Sequence, residues 1–163
     1  MIQIENLPIV LTGIGIIVSI LYYTSVLRNT SKSRQIQVIS SVPTPTDWRW
    51  MDWQYKDFDQ FTSDYGPEIN PDGWAQFFLW SNRLKAFGVY VREGLLDIRL
   101  VCLLSGGTIM FTWEKFKPFF IEWRNRYNRP RGFIEAEYLY SKVVEYFTRA
   151  HLFLILSDGF IIL

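Results

Sequence analysis

A single cysteine and a single histidine in 163 residues leave little material for metal or nucleophile chemistry. A His/Cys metal centre needs several such ligands, and a Ser–His or Cys–His dyad needs a histidine held beside its nucleophile. His151 stands next to an apolar run and reads as a tail residue, while Cys102, inside IRLVCLLS, reads as a buried thiol with no partner for an internal disulfide. An excess of one charge is missing too. Seventeen Lys and Arg face sixteen Asp and Glu, net +1, which is not the electrostatic footprint of a nucleic-acid binder. The SGGT at 105–108 lacks the lysine and spacing of a phosphate loop. Asp57 and Asp59, or Glu135 and Glu137, are two residues apart and diverge on a helix. No cofactor is implied, and no segment alternates for long enough to demand a sheet.

What the chain does have is LPIVLTGIGIIVSILYYTSVL at 7–27, twenty-one residues without a charged side chain. A helix needs about 20 apolar residues to cross a hydrocarbon core roughly 30 Å thick. A cleaved signal peptide requires a basic leader and an apolar run of about 7–15 residues, whereas the leader here is the acidic MIQIEN. The reading is therefore one transmembrane helix. Arg28, Lys32 and Arg34 follow it at once, so the positive-inside bias places the C-terminal side in the cytoplasm and the N-terminus outside. These three cations are also candidate lipid contacts.

The remainder is enough for one compact domain. Residues 28–45 prolong the helix until Pro43 and Pro45 end it, making SVPTPT a hinge. Phe58, Phe61 and Tyr65 recur at helical spacing before the Gly66–Pro67 stop, in a stretch with room for one short helix or two. Asn70 as cap and Pro71 at the first helical position open a helix through about Arg92 that closes at Gly94, with Trp74, Phe77, Phe78, Leu84, Phe87 and Val91 as its apolar stripe. Asp97 caps IRLVCLLSGGTIMFTW, read as a buried core helix that continues into EKFKPFFIEWRNRYNRP and is kinked or divided at Pro118. Trp113, Phe116, Phe120 and Trp123 fall on one face, and Glu114 and Lys117 can pair on the opposite one. A last helix spans about 133–149, with Tyr138, Val144 and Phe147 inward. The fold class is all-α, a transmembrane helix followed by a small cytoplasmic domain of four to five helices. Its parts are a tail at 1–6, the span at 7–27, the extension and hinge at 28–45, the domain at 46–150 and an apolar tail at 151–163.

The segments YYTSVLRNTSKSRQIQ, YGPEIN and GGTIMFTWEKFKPFFIEWRNRYNRP resemble an uncharacterised prokaryotic family, common in archaea, over about residues 14–142. The resemblance implies one N-terminal membrane helix and a cytoplasmic helical domain, and assigns no activity. The apolar ending after Arg149 departs from the polar tail that such a protein would carry.

Charge is unevenly distributed along the domain. Asp47, Asp52, Asp57, Asp59, Asp64, Glu68 and Asp72 outnumber Arg49 and Lys56 in an early segment; Lys115, Lys117, Arg124, Arg126, Arg129 and Arg131 oppose only Glu122 in a later one. The two segments either face each other, form solvated surfaces, or leave a basic face for anionic lipid. With Trp123 and Tyr127 interleaved, these six cations are the candidate interaction residues, although no nucleic-acid recognition motif accompanies them. The expected function is a single-pass membrane protein acting as an interaction module or accessory subunit at the cytoplasmic face. Its partners are then membrane lipids and another membrane or cytoplasmic protein. The alternative is a tethered enzyme or anionic-lipid-binding domain whose site is built from carboxylates, arginines and aromatics.

Overall fold

The computed structural model describes residues 7–158, with side chains over 11–150. The leading tail at 1–6 and, in the expected apolar tail, the side chains from His151 onward lie outside the described residues. The architecture is all-helical. Helix α1 spans Leu7–Ser41, a short 3-10 turn Arg49–Asp52, α2 Phe58–Tyr65, α3 Pro71–Arg92, α4 Ile98–Arg126 and α5 Ile134–Asp158. The chain divides into two compact units, one through Ile39 and one from Ser40.

Helix α1 is long and apolar enough to cross a membrane, and none of its apolar stretch is buried. Three of its hydroxyls bond back into the helix: Ser19 to the Gly15 carbonyl at 2.8 Å, Thr24 to Ile20 at 2.7 Å, Thr30 to Val26 at 2.9 Å. Such local bonding leaves few polar groups wanting water. Gly13 and Gly15 border open space, so no close helix approach uses them here.

In the second unit, local signals fix the helix ends. Asn70 accepts from Gly73 N at 3.0 Å with Pro71 opening α3, Asp57 accepts from Gln60 N at 2.9 Å at the start of α2, and Asp97 accepts from Arg99 N at 2.8 Å before α4. Gly94, at φ +68°, ends the α3 turn in a conformation glycine adopts without strain. Helices α4 and α5 are antiparallel, since Trp123 meets Phe133 at 5.3 Å, Trp113 meets Tyr140 at 6.1 Å and Gly106 lies under the Phe147 ring. Helix α3 approaches α5 so closely that a Cβ on Gly88 would stand 2.0 Å from the Glu135 carbonyl oxygen.

The interior is built from rings. Phe77 is fully buried, with ring centroids 4.9 Å from Phe116, 5.5 Å from Phe61 and 5.8 Å from Trp50. Tilted and edge-on pairs of this kind stabilise beyond the area they remove from water. Trp80 donates to the Thr112 hydroxyl at 3.0 Å, which in turn donates to the Thr108 carbonyl at 2.7 Å, so both buried polar groups are satisfied.

Several expectations change. Pro118 does not divide α4; the helix runs unbroken through it. The proline withdraws the donor that the Glu114 carbonyl would use, and one residue on, the Lys115 carbonyl accepts from the Tyr55 hydroxyl at 2.6 Å. Residues 98–113 are not buried all round: Val101, Cys102, Ile109 and Trp113 face inward while Leu103, Leu104 and Phe111 are exposed. Glu114 accepts from the Tyr140 hydroxyl instead of pairing with Lys117. In α5 the buried positions are Ala136, Leu139 and Val143, with Tyr138 and Val144 only half-buried and Phe147 exposed at 39%. The helix also continues to Asp158, because no breaker interrupts it before Gly159. The segment expected as a hinge is strapped to α3: Arg83, 8% exposed, donates to the carbonyls of Val42 and Pro43, and Gln76 accepts from Thr46 N at 2.9 Å. The second short helix in the acidic segment is the 3-10 turn, which seats Trp50 in the core with its indole N–H unbonded.

Candidate functional site

Three chain segments meet at the C-terminal end of α4. Helix α2 contributes Phe58, the turn after it Pro67 and Ile69, the first turn of α3 Trp74, and the last turn of α4 Trp123 and Tyr127. Together they enclose an open cleft of about 450 Å³. The turn forms where the sequence stops α2: Gly66 N donates to the Thr62 carbonyl at 3.0 Å, Asn70 N to the Gly66 carbonyl at 2.9 Å, and Asn70 then caps α3. Ile69 and Tyr127 are 66% and 56% exposed, so large apolar surface faces solvent on both walls. Thr62, Ser63 and Glu68 are the polar lining, and Glu68 is the cleft's one carboxylate.

The six cations of the basic segment have separate fates. Lys115 donates to the Met51 carbonyl, and burial lowers its pKa. Arg124 donates to the Gly132 carbonyl and pairs with Glu137 at 2.8 Å. Arg126 grips Asp59 with two nitrogens, Nη2 to Oδ2 at 2.9 Å, and reaches Glu122 at 2.9 Å while lying 4.6 Å over the Phe58 ring. That contact holds the Asp59 carboxyl below its ordinary range and raises the Arg126 guanidinium. The acidic and basic segments therefore touch, at Asp59 and at Met51. Lys117, Arg129 and Arg131 are exposed and make no ion pair with any described residue. Arg28, Lys32 and Arg34 are exposed on α1.

Of the sequence candidates, Trp123 and Tyr127 line the cleft, while Arg126 and Arg129 lie over rings that line it, Arg126 4.6 Å from the Phe58 ring centre and Arg129 6.0 Å from that of Trp123. It turns Arg124 and Lys115 inward to support the fold. Sequence reasoning missed Phe58, Glu68, Ile69 and Trp74 as a wall. The signal was the isoleucine in YGPEIN, an apolar side chain in a Gly–Pro turn.

A second hollow of about 410 Å³ lies between the 3-10 turn and the start of α3. It is lined by Asp47, Arg49, Asp52 and Trp53, and an Asp47–Arg49 pair on its rim depresses the Asp47 pKa. Among the described residues no group of three or more His, Cys, Asp or Glu is placed to hold a metal ion.

Fold and site together define a small all-helical domain with a ring-packed interior and a solvent-facing aromatic cleft, preceded by one long exposed apolar helix. The chain belongs to the family described as a domain of unknown function, DUF4760, whose model matches residues 9–143 and so includes every residue that lines the cleft. No curated protein and no solved structure matches it.

Proposed function

We propose that this protein is a single-pass membrane-anchored interaction module that docks a partner protein in the cleft between the α2–α3 turn and the end of α4. The exposed apolar surface of α1, with the Ser19 and Thr24 hydroxyls bonded internally, supports the anchor; Arg28, Lys32 and Arg34 beyond the span support a cytoplasmic domain and contact with anionic head groups. The observation that carries the docking reading is the pairing of Ile69 and Tyr127, exposed across a ring-lined cleft. Interface anchors are typically aromatic or aliphatic side chains around which water is excluded. An enzymatic site would want convergent acid and base groups, and the cleft wall offers Glu68 alone.

The test is a crosslinked pull-down of the full chain from native membranes in mild detergent, alongside Ile69→Asp and Tyr127→Ala. Both positions are exposed, so each variant should keep its far-UV circular dichroism. The expected result is a stoichiometric partner retained by the parent chain and lost from both variants. A partner held equally by all three would remove the cleft from the proposal.

A further inference from the structure

We infer that the occupant of the cleft is a peptide segment combining an apolar side chain with carboxylates: the apolar group lies on the ring floor and the carboxylates meet Arg129 and Arg131. This rests on the cleft being the docking site.

The end of α4 and the loop after it carry charge that the fold does not use. Arg124 and Arg126 are committed to carboxylates and a carbonyl of the domain itself, whereas Arg129 and Arg131 have no acidic partner among the described residues. Both sit on the 127–132 loop, which begins at the lining residue Tyr127 and packs against the ring of another, Trp123. Arg129 faces the Trp123 ring, and the glycine after Arg131 lies so close to that ring that a Cβ on Gly132 would stand 2.6 Å from it. The loop is held in place before any ligand arrives. Arg129 N donates to the Arg124 carbonyl at 2.9 Å, Gly132 N to the Arg129 carbonyl at 2.8 Å, and Arg124 clasps the Gly132 carbonyl from below. Asn128, at φ 49°, takes the left-handed conformation that the turn requires. A rim fixed in this way loses little conformational freedom on binding, and guanidinium groups suit carboxylates geometrically.

The same site disfavours a phosphate polymer. Two unpaired cations do not make a tracking groove, Glu68 on the opposite wall repels a chain of phosphates, and the net charge is only +1. For a peptide, Glu68 instead sets direction: a carboxylate on its side of the cleft is rejected, so the acidic positions fall on the α4 side.

A random peptide library panned against the detergent-solubilised full chain, with the Tyr127→Ala chain as counter-selection, tests this. The expected yield is a consensus of aliphatic or aromatic residues with Asp or Glu on one side. Anisotropy should then show the acidic peptide weakened roughly tenfold, about 1.4 kcal/mol, by the double variant Arg129→Glu, Arg131→Glu, with a lysine counterpart gaining, because the exposed pairs become repulsive. Glu68→Gln should leave the acidic peptide bound at least as tightly. An enriched consensus without acids, indifferent to the arginine reversals, would overturn the charge inference and leave the docking reading intact. No enrichment over the Tyr127→Ala chain would overturn both. A single-stranded oligonucleotide that binds more tightly than any peptide, and depends on the same arginines, would also overturn it.

Discussion

At position 88 a hydrogen atom stands where any other residue would place carbon, 2.0 Å from a main-chain oxygen of α5. Because the obstacle is backbone, it cannot rotate away, and Gly88→Ala must part α3 from α5. A loss of about 3 kcal/mol is expected, at the upper end of what overpacking usually costs, and thermal denaturation followed by circular dichroism would measure it. Tyr55 makes a different prediction. Burial pushes its phenol from the ordinary 10 up to about 12 while it donates to the Lys115 carbonyl. The folded state therefore favours the neutral phenol. Its contribution is complete below pH 10 and is lost as pH rises from 10 through about 12. Denaturant midpoints of the parent chain should fall over that window more than those of Tyr55→Phe; parallel curves would remove the assignment. Individual residues were readable from sequence where their role is local. Asn70, Pro71, Gly94 and Asp97 cap or close helices by contacts within a few positions. Arg83 and Trp50 were not, since nothing near them in the chain signals that one will strap a linker and the other fill a core.

Among the elements, α4 tests how far a proline must interrupt a helix. The helix continues through Pro118 at the expense of one intrahelical bond, and Pro118 itself is exposed. Pro118→Ala restores the missing N–H without altering the buried face, so the full chain should gain about 1–2 kcal/mol, less than the roughly 3 kcal/mol propensity difference because the unfolded chain also gains freedom. An unchanged or lowered melting temperature would mean that the ring is used by the packing around Tyr55. Helical period located α2, and with the caps at Asn70 and Asp97 it located the starts of α3 and α4. It erred where one face had to be chosen. Leu103 and Leu104 look like core by composition, yet only one face of α4 meets α3 and α5, and both leucines are on the other. The cleft was half legible: Trp123 and Tyr127 stood out among the cations, but their opposite wall comes from residues about fifty to seventy positions earlier, a distance across which sequence periodicity carries no information.

For the molecule as a whole, the separation at Ile39 and Ser40 sets the expectation for dissection. Removing residues 1–34 should give a largely helical protein that stays in solution without detergent, while the full chain partitions into membranes and resists alkaline carbonate. A truncated chain that still needs detergent would shift attention to the exposed leucines of α4 and the apolar end of α5. The all-helical class followed from the sequence because the long apolar run, the caps and the absence of alternation agree with one another.

The ring-packed interior also constrains how the domain can move. A phenyl group turns over by sweeping a disc much wider than its resting edge, and Phe61, Phe77, Phe116, Phe119 and Phe120 have no exposed surface and mostly other rings for neighbours. Each half-turn then requires several neighbours to withdraw at once, so the flipping of one ring becomes a count of the breathing of the entire core. Proton spectra of phenylalanine-labelled chain should resolve the two edges of these rings as separate signals that coalesce together on warming, a single clock kept by five residues.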